Sequence, residues 1–285
     1  MQTNQPPAQS VLVTGGAGFF GRGFVKRLLA LGVPRVCVFS RDEAKHAAMR
    51  AELQDERVRF FVGDVRDQQR LERAMDGIEL VVHAAALKRV EVAEYDAAEV
   101  MKTNVLGSMN VIEAATRAGV AKVVALSTDK ACEPVNAYGA SKLASEKLFL
   151  AANNARGARG PLFAVTRYGN VAGSTGSVIP TWRRAMDHGW PVRLTQPDAT
   201  RFWMTLGEAV ELVLETAIGM VGGELQIPDL PAYQLRDLAR AMGVQYHVAG
   251  LGPGEKLHES MRPGFTSADA RRMSVDELQE ALTHV

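Results

Sequence analysis

The sequence predicts an α/β fold: a doubly wound parallel sheet of the open type, followed by a smaller C-terminal lobe. Three observations point there. Short apolar runs at 11–13, 36–39, 58–62, 80–84, 123–126 and 163–166 are near-continuous rather than alternating, as in strands covered by helices on both faces. Segments of helical length and periodicity lie between them, near 19–31, 42–53, 67–75, 94–118 and 138–154. A glycine-rich loop, TGGAGFFG at 14–21, stands at the first strand-to-helix junction.

That loop gives the first strand its purpose. Gly15, Gly18 and Gly21 form a GxxGxxG pattern, with Phe19 and Phe20 between the last two. Gly15 permits a tight turn, Gly18 lets a pyrophosphate approach the backbone, and Gly21 lets the helix pack closely on the sheet. The helix N-terminus offers free N–H groups to a diphosphate, so the reading is a Rossmann-type dinucleotide site. An incidental glycine-rich turn is the alternative.

The second strand ends in Ser40 and Arg41, with Lys45 close behind. An NAD site usually places an acidic residue here, whereas a guanidinium suits the 2′-phosphate of NADP. NADP is therefore expected. Asp42 keeps NAD open, because it can serve an NAD ribose. After the third strand, Asp64 and Val65 are placed at the adenine edge. After the fourth, Ala84, Ala85 and Ala86 are placed beside the diphosphate and nicotinamide ribose. His83 there is either a satisfied strand-end histidine or a ligand contact.

The fifth strand ends in Ser127-Thr128-Asp129-Lys130, and Tyr138-Gly139-Ala140-Ser141-Lys142 follows. Tyr138 and Lys142 are four apart and share one helix face. A nearby ammonium favours a phenolate, so Tyr138 is a candidate proton acceptor, and Lys142 can also hold the nicotinamide ribose.

After about Asn170 the pattern changes. A Gly/Ser loop, seven prolines and helices near 178–188, 207–219, 234–242 and 275–283 suggest a smaller lobe over the carboxyl ends of the strands. The domain reading is 1–170 for the cofactor and 171–285 mainly for the substrate. The two are interleaved, and the second is abbreviated at the C-terminus.

Composition narrows the function. The 285 residues hold 33 Lys plus Arg against 32 Asp plus Glu, a net charge of +1 that gives no electrostatic case for nucleic acid. No apolar run is long enough for a transmembrane helix, and the polar segment 1–10 does not resemble a secretory signal. The two cysteines, Cys37 and Cys132, do not make a disulfide framework, so a cytoplasmic location is expected. The six histidines are scattered, and no metal is expected.

Taken together, these motifs resemble the extended short-chain dehydrogenase/reductase superfamily. Within it, the chain resembles the UDP-N-acetylglucosamine 4,6-dehydratases of bacterial polysaccharide and pseudaminic acid biosynthesis. The resemblance is carried by TGGAGFFG, FSRDE at 39–43, GDVRD at 63–67, HAAALK at 83–88, TN at 103–104 and STDKA at 127–131. YGASK at 138–142, RYGNV at 167–171, TRF at 200–202 and PGEKLHE at 253–259 complete it. It implies a hydro-lyase in which Tyr138 takes the sugar O4 proton and Thr128 positions the sugar near O4. Lys130 is the base at C5, and Asp129 is the acid on the departing O6 hydroxyl. Hydride passes from C4 to C6 through the bound cofactor. That chemistry requires a protonated Asp129 and a neutral Lys130, which a closed pocket can favour. Tyr138 is the family feature that leans toward inversion at C5.

The resemblance also implies that Asn170 binds a phosphate or the sugar. Ser177 and Val178 open a helix toward a diphosphate, Arg201 clamps it, and Glu255 lies at the substrate end. Lys88 either reaches substrate or stays solvated. An arginine usual in relatives before PGEK is Gly252 here, with Arg262 the candidate replacement. Helices near 94–118 and 138–154 imply a homodimer or higher homo-oligomer. The rival readings are a nucleotide-sugar 4-epimerase using the same Tyr138 and a non-catalytic NADP-binding regulator.

Overall fold

The computed structural model describes residues 4–285, so the first three residues of the polar N-terminal segment lie outside the described residues. The first half alternates strand and helix: β1 (Ser10–Thr14), α1 (Phe19–Ala30), β2 (Arg35–Ser40), α2 (Glu43–Leu53), β3 (Val58–Val62), α3 (Gln68–Met75) and β4 (Leu80–His83). Next come α4 (Val90–Tyr95), α5 (Ala97–Met101), a π-helical turn (Lys102–Leu106), α6 (Gly107–Arg117) and β5 (Lys122–Thr128). A 3-10 turn (Asp129–Ala131), α7 (Ala137–Ala155) and β6 (Leu162–Tyr168) complete this half.

The main sheet has the order β3-β2-β1-β4-β5-β6-β9, with β9 spanning Leu225–Gln226. Every pairing in it is parallel. Side chains alternate between its faces. Val11 and Val13 pack with Phe24 and Leu28 on one face. Leu12 and Cys37 pack with Leu71, Val111 and Phe149 on the other. The order reverses direction between β1 and β4, which opens a crevice at the carboxyl ends of the strands.

The rest of the chain contributes α8 (Val178–Asp187), β7 (Val192–Leu194), β8 (Thr200–Phe202), α9 (Leu206–Gly219), β10 (Ala232–Gln234) and α10 (Leu235–Ala241). It ends in β11 (Tyr246–Val248), β12 (Ser260–Arg262), β13 (Phe265–Thr266) and α11 (Val275–Leu282). The lobe has its own core of Ile179, Trp182, Trp203, Tyr233, Leu238 and Leu278. Yet β9 extends the main sheet, and Val210 and Val213 of α9 pack into its first face.

One helix differs from expectation. The single helix expected near 94–118 is broken at Asp96, whose backbone leaves helical geometry (φ −115°, ψ 49°), and widens into the π-helical turn. Asn104 on that turn is buried. Its amide donates to the Leu87 carbonyl and to Ser141 Oγ, each at 2.9 Å, and its Oδ1 accepts from the Leu87 N–H at 2.8 Å. These bonds tie the loop after β4 to α7. Such a turn trades helical regularity for an inward-facing side chain.

Candidate active site

The crevice has a volume of about 830 Å³ and runs along the carboxyl ends of the central strands. Gly15 adopts φ +67°, and a Cβ there would lie 2.9 Å from the Ala85 backbone, so only glycine fits between β1 and the loop after β4. A Cβ on Gly18 would meet only the Gly15 carbonyl oxygen, so that residue keeps the loop's outer side open. Gly21 differs from its expected role. Its Cβ would strike the Gly16 Cα at 2.5 Å, so it packs α1 against the loop itself rather than against the sheet. The N-terminus of α1 has no side-chain cap and no acidic residue in its first turn. Its free N–H groups fit a diphosphate. Phe19, Phe20, Val65, Ala84, Ala85 and Ala86 line the same crevice.

At the outer end, Arg41 is exposed, with Nη1 3.7 Å from Asp64 Oδ2, and Asp64 is bound more closely by Arg66 at 2.7 Å. Asp42 caps α2 by accepting from the Lys45 N–H at 3.0 Å, and Lys45 Nζ lies 3.1 Å from the same carboxylate. Ser40 Oγ is hydrogen-bonded to His46 Nε2 at 2.6 Å. His83 is a structural residue. It is fully buried, bonded to Thr14 Oγ1 at 2.8 Å and tilted against Phe149. Burial, helped by Lys142, pushes its pKa down to about 3.

The chemical centre forms where the 3-10 turn meets α7. A Cβ on Gly139 would lie 2.3 Å from the Lys130 carbonyl oxygen, so the missing side chain lets α7 abut the turn and bring Tyr138 beside it. Asp129 is fully buried; its Oδ1 accepts from Thr128 Oγ1 at 2.8 Å and from Lys130 Nζ at 3.0 Å, while Oδ2 has no partner. Lys130 Nζ also lies 3.3 Å from Asn170 Oδ1 and 3.2 Å from Glu259 Oε1. Burial holds the Asp129 carboxyl above the usual range, and Glu259 adds to the effect. Asp129 thus has the direction the chemistry requires. Lys130 does not: burial opposes its charge, but Asp129 and Glu259 together outweigh this and raise its pKa. A neutral Lys130 is therefore not the resting state.

The tyrosine also departs from expectation. Burial pushes the Tyr138 phenol up to about 12, only partly opposed by Lys130. Lys142 Nζ donates to the Leu126 carbonyl at 2.6 Å. Burial lowers the Lys142 pKa to about 8, against the pull of Glu146. The cation nearest in effect to Tyr138 is thus Lys130.

On the substrate side, Lys88, Asn170, Ser177, Val178 and Glu255 all line the crevice. Ser177 precedes α8, and its Oγ is buried without a partner. Glu255 Oε2 accepts from the Gly252 N–H of its own loop at 2.9 Å. Arg201 is not in the crevice wall. It is buried, donates from Nη1 to the Thr200 and Leu257 carbonyls at 2.7 and 3.1 Å, and faces Glu259 at 3.9 Å. Arg262 does not replace the arginine missing at Gly252, since it pairs with Asp229 and stacks over Phe265. The cation that does line the crevice beside Gly176 is Arg89, which sequence reasoning missed. It also missed Glu259, although that residue ends the PGEKLHE stretch, and Tyr233, buried beside Asn170.

A family model described as polysaccharide biosynthesis protein matches residues 11–276. The chain belongs to this polysaccharide biosynthesis family. Among its relatives, the UDP-N-acetylglucosamine 4,6-dehydratase (inverting) of Campylobacter jejuni subsp. jejuni serotype O:2 is 46% identical over 257 residues, covering 89% of this chain and 77% of that protein. The UDP-glucose 4-epimerase of Rickettsia prowazekii is 39% identical over 263 residues, with shares of 89% and 77%. Among solved structures, Pen from Bacillus thuringiensis superposes with a TM-score of 0.93 at 32% identity, covering 96% of this chain and 97% of that one. The dTDP-glucose 4,6-dehydratase DesIV from Streptomyces venezuelae, with NAD and TYD bound, gives a TM-score of 0.82 at 26% identity and covers 96% of each chain. The family fold is thus an extended short-chain dehydrogenase/reductase fold, as the motifs implied. No helix among the described residues is long and apolar enough to cross a membrane.

Proposed function

We propose that this member of the polysaccharide biosynthesis family is a nucleotide-sugar 4,6-dehydratase, a hydro-lyase acting on UDP-N-acetylglucosamine. The observation that carries the reading is Lys130, which lines the inner end of a dinucleotide crevice beside Tyr138 with the fully buried Asp129 paired behind it. An epimerase exchanges hydride at C4 and needs no acid and base for water loss. A carboxyl whose affinity for a proton is raised by burial, adjacent to an amine, suits elimination.

The open glycine loop and the uncapped N-terminus of α1 fit a nicotinamide dinucleotide. Held by the glycine loop and the α1 N-terminus, that cofactor would supply a hydride acceptor for C4 and a hydride donor for C6. The remaining work belongs to the chain. Tyr138 takes the O4 proton as a phenolate, so its own proton has to leave before hydride transfer, against the burial that raises its pKa; Lys142 stands at the ribose. Asp129 protonates the departing O6 hydroxyl, and Lys130 takes the C5 proton once it has lost its own. Thr128 donates to Asp129 and so orients the acid. Ser177, Val178 and the α8 N-terminus receive a diphosphate oxygen, with Lys88 and Asn170 nearer the sugar. The presence of Tyr138 favours inversion at C5.

NADP is the proposed cofactor. Arg41 and Lys45 stand at the outer end of the crevice, and Asp42 is engaged as the α2 cap. Arg41→Ala is expected to weaken NADP at least tenfold more than NAD in a binding titration. Equal loss for both cofactors contradicts the assignment. A cytoplasmic homo-oligomer is proposed; exposed Tyr95, Leu106 and Met109 on the broken helical segment support the self-association.

The deciding experiment is incubation with UDP-N-acetylglucosamine and NADP, followed by mass spectrometry and NMR at C5. The product should lack one water. A product of unchanged mass would point to the epimerase reading, and cofactor binding without conversion to a regulator.

A further inference from the structure

Lys130 presents a difficulty that Glu259 resolves. An ammonium has three protons, and three acceptors surround this one: Asp129 Oδ1 at 3.0 Å, Glu259 Oε1 at 3.2 Å and Asn170 Oδ1 at 3.3 Å. So held, it has no lone pair to offer a C–H bond. The neighbouring carboxyl, Asp129, must carry a proton to act as acid. One proton is therefore on the wrong atom of the pair, Nζ, and Oδ1 lies 3.0 Å from that nitrogen.

We propose that Glu259 is a positioning carboxylate that holds Asp129 and Lys130 as a pair sharing one proton, so that its transfer arms both groups together. This rests on the dehydratase reading above. The transfer moves one proton from Lys130 Nζ to Asp129 Oδ1 and turns charges of −1 and +1 into two neutral groups. Lys130 then takes the C5 proton. Asp129 gives its proton to O6 as the C6–O6 bond breaks, the C5=C6 bond forms, and water leaves. Glu259 stays ionised throughout. Its negative charge favours the proton on either member, so the pair keeps one proton across the working pH range.

The placement of Glu259 suits that role. It is only 3% exposed, and its Oε2 has no partner. Its main chain is fixed on both sides, donating to Ser267 Oγ at 3.0 Å and accepting from the Ser267 N–H at 2.7 Å. The charged and titratable groups around the cluster are Asp129 and Lys130 on the 3-10 turn, Tyr138 on α7, Arg201 on β8, Tyr233 on β10 and Lys256 on the preceding loop. Arg201 at 3.9 Å helps keep Glu259 ionised.

The test uses the NADP-loaded protein with UDP-N-acetylglucosamine and follows two steps separately: reduction of the nicotinamide in a single turnover, and loss of water by mass spectrometry. Glu259→Gln should leave the reduction step within about threefold. Water loss should slow by at least about tenfold, so that reduced cofactor accumulates. Both limbs of the pH profile for water loss should move to lower pH by about one unit, because the removed charge favoured protons on both partners. Glu259→Asp keeps the charge on a shorter arm: its profile should stay in place while its rate falls. That variant also decides the matter if Glu259→Gln does not fold. Water loss at the wild-type rate with an unmoved profile in Glu259→Gln overturns the proposal. So does an unaltered rate in Glu259→Asp. If the wild-type protein itself neither reduces its cofactor nor loses water, the dehydratase reading fails instead.

Discussion

His83 illustrates how a single residue's environment sets its role. On the sequence it stands at a strand end beside the alanines of the crevice, where a ligand contact and a buried structural histidine read alike. In the fold it is 1% exposed and bonded to Thr14, with a pKa of about 3. An unfolded histidine binds its proton below about pH 6.5. Between about 6.5 and 3 the unfolded chain therefore holds one proton more than the folded one, and stability falls as the pH drops through that window. The loss is up to about 1.4 kcal/mol per unit. Denaturation midpoints at pH 7 and pH 5 should show this loss in the wild type and a smaller one in His83→Gln. Equal losses would contradict the assignment. Arg201 teaches the same lesson for a charged side chain. Its motif was plain, but the carbonyls of Thr200 and Leu257 and the carboxylate of Glu259 decide where it points.

At the scale of elements, the alternating strands and helices were legible because each buries apolar residues at a fixed period. The broken helix around 90–117 was not legible. Its apolar pattern runs on past the break at Asp96 and through the π-helical turn, where Asn104 reaches Leu87 and Ser141. Those partners come from two other elements and leave no mark on local periodicity. The short strands β7, β8 and β10–β13 have only two or three residues each, too few to show a period. The junction of α7 with the 3-10 turn makes the sharpest prediction at this scale. Gly139→Ala places a Cβ 2.3 Å from the Lys130 carbonyl oxygen, so helix and turn must separate. A loss of about 1–3 kcal/mol in chemical denaturation is expected, as for overpacked cores. Turnover should fall by more than about tenfold, since Tyr138 moves with the helix. A variant with wild-type stability and rate would show that the contact is not needed.

At the scale of the molecule, the order β3-β2-β1-β4-β5-β6-β9 explains why groups far apart in the chain meet. The carboxyl ends of β1, β4, β5 and β6 deliver the glycine loop, the alanine loop, Lys130 and Asn170 to one crevice, with Asp129 buried behind Lys130. The C-terminal lobe returns over them and brings Glu259 beneath Lys130. Motifs made the first set readable, because each lies within a few residues of a strand end. Glu259 was hidden because its partner lies half the chain away. In a 4,6-dehydratase, hydride leaves C4 and arrives at C6 of the same sugar. The direct test is UDP-N-acetylglucosamine deuterated at C4, incubated with the NADP-loaded protein and no other reductant. A dehydrated product with deuterium at C6 is expected; deuterium retained at C4 in a product of unchanged mass would contradict a dehydratase.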